Sequence, residues 1–106
     1  MGRVWALGSA LVLVAACAPT DEEINRELAA YVKGRDRCVR NEDCTLVALR
    51  CPLPCAVAVR REHWLEVDGK AVELTRRYES GGQHCDYKCG PSVAVCEQER
   101  CTDKRK

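Results

Sequence analysis

The sequence has no Phe, one Met and two His, and Ile24 is its only isoleucine. Aromatic residues make up 5% of the chain. That excludes a stacking platform for nucleic-acid bases, which needs several exposed rings beside a basic stripe. Excess charge of one sign is also missing. Lys and Arg number 17 against 16 Asp and Glu, so no net field recruits nucleic acid or acidic lipid. No C-x-x-C pair occurs, so thiol–disulfide redox chemistry lacks its usual motif. Neither Ser80 nor Ser92 lies in a G-x-S-x-G context, and His63 and His84 have no nucleophile at a telling spacing. No enzymatic activity, cofactor or nucleic-acid partner is therefore expected. The longest apolar run covers about 14 residues, short of the roughly 20 that a membrane-spanning helix needs.

Cysteine, by contrast, is abundant: nine in 106 residues. That density in so short a chain marks a disulfide scaffold or a metal cluster. Cys51-x3-Cys55 and Cys85-x3-Cys89 are looser than the C-x2-C of structural zinc sites, and thiols of an exported chain oxidise, so no metal is expected.

The first 16 residues read as a secretory signal peptide. Arg3 supplies the positive end, Val4 to Val14 the apolar stretch, and Ala15 and Ala16 the small residues before a cleavage point. Val14-Ala15-Ala16-Cys17 resembles the lipobox of bacterial lipoproteins. Cutting instead after Ala18 would place Pro19 directly beyond the scissile bond, where its ring disfavours cleavage. The resemblance implies that Cys17 is the lipidation site. It would carry a thioether-linked diacylglycerol and, in Gram-negative cells, an amide-linked acyl chain. Two or three chains give stable anchoring. The membrane is then one partner, and Ala18 rather than Asp after the lipidated Cys leans towards the outer membrane. As a whole the sequence is similar to small cysteine-rich bacterial lipoproteins of unknown function, which implies location and stapling but no activity.

Residues 17–20 form the lipidated Cys and a short tether, and 21–106 a single disulfide-rich domain. Removing residues 1–16 removes Arg3 alone and leaves 16 basic and 16 acidic side chains. Thr20-Asp21-Glu22-Glu23 is a capping box, and Ile24, Leu28, Tyr31 and Val32 form one apolar stripe before Gly34. The pattern predicts a helix over 21–33. Strands are expected at 44–50 and 55–61, either side of Cys51-Pro52-Leu53-Pro54-Cys55. Trp64, Val67, Ala71, Leu74 and Tyr78 predict a second helix over 63–80, weakened at Asp68-Gly69 and stopped by Gly81-Gly82. Residues 92–96 read as a third strand, with a short fourth after the turn at 97–100 and a solvated tail at 104–106. The fold class is α+β: a small disulfide-stapled antiparallel sheet of three to four strands with two helices.

With Cys17 lipidated, eight cysteines remain for four bridges: Cys38, Cys44, Cys51, Cys55, Cys85, Cys89, Cys96 and Cys101. A helix of 18 residues packed back along a seven-residue strand returns residues 83–90 to the 51–55 turn. A nested pattern follows: Cys44–Cys96, Cys38–Cys101, Cys55–Cys85 and Cys51–Cys89, with the last two free to exchange partners. It requires the first and third strands to pair. The rival pattern closes the local loops Cys38–Cys44 and Cys96–Cys101.

Two functions are compatible with these features. One is a non-enzymatic envelope lipoprotein that binds a protein, peptide or cell-wall partner. The other is a protease inhibitor whose stapled loop exposes Pro52, Leu53 and Pro54, since bridges and prolines pre-order such a loop.

Overall fold

The computed structural model describes residues 19–82 and 85–106. The expected signal peptide over 1–16, the expected lipidation site Cys17, and His84 lie outside the described residues. Two helices and four strands follow one another as α1 (Asp21–Val32), β1 (Cys44–Ala48), β2 (Ala56–Arg60), α2 (Trp64–Ser80), β3 (Ser92–Glu97) and β4 (Arg100–Arg105).

Helix α1 starts where the capping box places it. The Thr20 hydroxyl accepts the Glu23 N–H at 3.1 Å, while the Glu23 carboxylate takes the Thr20 O–H instead of reaching back to the backbone. Gly34, at φ +89°, turns the chain away after the last helical residue. Helix α2 runs through Asp68-Gly69 without a break, because an exposed glycine costs a helix only about 1 kcal/mol and the flanking Val67 and Ala71 are buried.

The strands form two separate two-stranded antiparallel sheets, β1–β2 and β3–β4. This corrects the expected pairing of the first and third strands. The physical reason lies in the alternation of side chains. Val47, Val57 and Val59 join Ile24, Leu28, Val32, Val67 and Leu74 in the main core beneath the helices. Cys44, Leu46 and Ala58, on the opposite face, pack with Ala94, Cys96 and Cys101 of the second sheet. The first sheet is thus covered on both faces, and the second sheet stacks on it rather than extending it. Strand β4 is longer than the short strand expected and takes in Lys104 and Arg105, which pair with Val93 and Ser92.

All eight cysteines of the domain are bridged: Cys38–Cys96, Cys44–Cys101, Cys51–Cys85 and Cys55–Cys89. The two clusters form as expected, and the second takes the exchanged partners. The pairs Cys44–Cys96 and Cys38–Cys101 are not formed. Cys96 and Cys101 sit opposite each other in the β3–β4 ladder, so both face the same layer. Which of them meets Cys38 is decided by the segment 35–38, which runs antiparallel along the outer edge of β4, with Cys38 N–H donating to Glu99 O and Cys101 N–H to Asp36 O. That lays Cys38 against the hairpin end and gives it Cys96.

Candidate binding groove

The proline loop does not present itself as an inhibitory loop. Leu53 is 1% exposed and belongs to the main core, with Pro52 half-buried and Pro54 exposed. The expected exposure of Leu53 is thereby corrected: burying its whole side chain is worth roughly 2 kcal/mol, which an alternation of Pro and Leu does not reveal. An inhibitor needs a side chain at this position to offer a protease, and this one is inside. The Cys51–Pro52 peptide bond is cis. Asn25 of α1 fastens the loop from outside, its Nδ2 donating to Pro52 O at 3.0 Å and to Asp21 O at 2.8 Å.

Beside this loop a groove opens between α1, the β2 edge and β4. One part, about 280 Å³, has Leu28, Ala29 and Val32 on one wall and Arg100, Cys101, Thr102 and Asp103 on the other, with Val57 and Ala58 at its base. Neighbouring residues of a strand point to opposite faces, so four consecutive residues lining one cavity means that the cavity views β4 from its edge. A second part, about 430 Å³, continues past Pro52, Pro54 and Tyr87 to Asp103 and Arg105. At the opposite end the groove reaches Lys33, Gly34, Asp36, Arg37 and Arg100.

The electrostatics of that end are uneven. Asp36, only 4% exposed, is held by Arg100 through Nη2 at 3.0 Å and Nε at 3.3 Å. Among the described residues Lys33 and Arg37 have no ion-pair partner. Across the molecule, the α1–α2 seam is saturated instead. Glu27 accepts from Lys70 at 2.8 Å and from Arg77, and the Lys70 ammonium foremost, with help from Arg77, holds its carboxyl below the usual range although burial pushes it the other way. Glu66 accepts from His63 Nδ1 at 2.9 Å and from Arg35 at 3.1 Å, and its pKa is likewise lowered, His63 contributing most. His63 therefore sits in an ion cluster with Glu62, Glu66 and Arg35.

The sulfurs of Cys38, Cys44 and Cys101 lie within 4.8 Å of one another, and each is already committed to a disulfide. No helix among the described residues is long and apolar enough to cross a membrane. Lys33, Arg37, Asp103 and Arg105 were not distinguished by sequence from solvated surface charge, because the groove joins them from segments far apart. A scan against protein-family models, a search of curated proteins and a search of solved structures each return no match. Fold and groove together define a small disulfide-stapled α+β module, of a kind suited to oxidising compartments.

Proposed function

We propose that this chain is an exported envelope lipoprotein, anchored through Cys17, whose stapled domain is a non-enzymatic module for binding a protein or peptide partner. The observation that carries the reading is the joining of every domain cysteine in four long-range bridges, separated by 34 to 58 residues in sequence. Such bridges suit an oxidising compartment, and they support a preformed surface groove of the kind a binding module uses. The lipobox-like Val14-Ala15-Ala16-Cys17 supplies the anchor. A module so close to its anchor, with residues 18–20 as tether, works next to the membrane surface.

Metabolic labelling with an alkynyl fatty acid tests the anchor. The wild-type protein takes the label and the Cys17→Ser variant does not. An unlabelled wild-type protein, expressed in a bacterium with an intact lipoprotein pathway, would refute the anchored reading.

A further inference from the structure

The segment 35–38 shows how this groove accepts an extended chain. Arg35 O receives the Arg60 N–H of β2 at 2.9 Å, and Asp36 O receives the Cys101 N–H of β4 at 2.7 Å. The chain's own backbone thus fills one end of the groove and pairs antiparallel with the outer edge of β4 at Arg37–Arg100. It then leaves through Gly34 into α1, and among the described residues nothing pairs with the edge beyond.

The Cys101 N–H points away from β3. In an antiparallel ladder the outward groups recur every second residue, so the N–H and C=O of Asp103 and Arg105 point into the groove as well. Among the described residues they have no partner on that side. The open edge from Thr102 to Arg105 is about 13 Å long at 3.3 Å per residue, room for four residues of an added strand.

Direction and end group follow from the same geometry. A strand continuing the antiparallel pairing of 35–38 runs with its C-terminal end towards Gly34. There the chain itself blocks the groove, so the visitor has to stop. The block is flanked by Lys33 and Arg37, two cations without ion-pair partners. A free carboxylate is the complementary end group. Deepening the binding reading above, on which it rests, we infer that the groove takes the C-terminal tail of a partner protein as an extended strand along β4, its carboxylate between Lys33 and Arg37. Ala29 of α1, with the edges of the buried Leu28 and Val32 behind it, forms the wall met by alternate side chains, which favours small apolar residues at every second position of the tail.

The test uses the full oxidised chain and a library of hexapeptides with randomised sequence and free C-termini, read by fluorescence polarisation. Selected peptides bind, and amidation of their C-terminus weakens binding about tenfold or more, as loss of a charge-assisted contact does. Lys33→Ala with Arg37→Ala weakens the free-acid peptides by a similar factor and leaves the amidated ones unchanged. Asp103→Pro, which removes an outward N–H without touching the ladder to β3, abolishes binding. Bound peptide slows hydrogen exchange at the Asp103 and Arg105 amides. If Asp103→Pro fails to fold, the exchange measurement on the wild type stands in its place. Equal affinity for acid and amide peptides would overturn the carboxylate assignment. Peptides that bind without protecting those two amides would overturn the strand-addition geometry. If no peptide binds while crosslinking in the envelope still yields a partner, this inference fails and the binding reading survives. If neither yields a partner, both fail.

Discussion

The two layers of this small domain are held by different means. Beneath the helices, Ile24, Leu53, Val47, Val59, Val67 and Leu74 are each exposed by no more than 1% and form an ordinary apolar core. Between the sheets, the buried residues are Cys38, Cys44, Ala58 and Cys101, with Leu46, Ala94 and Cys96 around them. Small side chains there bury too little surface to hold a hairpin in place, since a two-stranded hairpin is marginal alone. Two disulfides supply what the packing lacks, fixing β3–β4 through Cys38–Cys96 and Cys44–Cys101. The helical layer is therefore stabilised chiefly in the native state, by burial. The hairpin layer is stabilised chiefly by restricting the unfolded chain.

Full reduction tests that contrast with the largest effect. It removes four bridges of roughly 2–4 kcal/mol each, and the amides of β3 and β4 lose hydrogen-exchange protection before those of α2 around Leu74. Simultaneous loss in both layers would dissolve the distinction. Next in size, Leu74→Ala empties a fully buried site in the helical core and costs about 2–5 kcal/mol in chemical denaturation, with the disulfides intact. A loss below 1 kcal/mol would mean that the bridges carry the helical layer too.

The smallest effect belongs to the ion cluster on the helices. The Glu66 pKa lies below its ordinary 4.5, through the hydrogen bond from His63 first and Arg35 second. A carboxylate with a depressed folded pKa contributes stability that is present above about pH 4.5 and lost as the pH falls through the folded value. Glu66→Gln therefore lowers the melting temperature slightly at pH 6, and the difference from wild type closes as the pH falls from 4.5 through the folded value. Because the pair is exposed, added salt shrinks it as well. A gap that widens in acid would reverse the assigned sign.

Helix α1 was legible in Thr20 to Glu23 and in the spacing of Ile24, Leu28 and Val32, because caps and periodicity are local. The same holds for the second helix, whose pattern is weakened at Asp68-Gly69 and which runs through it. Assigning Cys51 and Cys55 to the same cluster as Cys85 and Cys89 needed only the lengths of a strand and a helix. Exchange between Cys96 and Cys101 was not legible. They are cross-strand neighbours, and their partners depend on whether the hairpin joins the first sheet edgewise or stacks on it. That choice rests on the run of 35–38 along the outer edge of β4 and on the packing of Ala58 against Ala94, both of them tertiary facts. Leu53 was misread as exposed because a proline-flanked residue has no periodicity to reveal its face. The groove was invisible for a similar reason: Lys33 and Arg37 follow α1, whereas Asp103 belongs to the short fourth strand and Arg105 to what reads as a solvated tail.

The stacked arrangement of the two sheets is tested most directly by a tryptic map of the unreduced protein. Cleavage after Arg37, Arg40, Arg50, Arg60, Arg77, Lys88, Arg100 and Lys104 isolates the cysteines in separate peptides, except that Cys51 stays with Cys55 and Cys89 with Cys96. The account predicts one two-peptide species, 41–50 joined to 101–104 through Cys44–Cys101. It also predicts one four-peptide species, in which 38–40, 89–100, 51–60 and 78–88 are joined in that order. Peptide 38–40 joined to 101–104 would instead report an edgewise sheet, and 38–40 joined to 41–50 a locally closed loop. Either result would contradict the account.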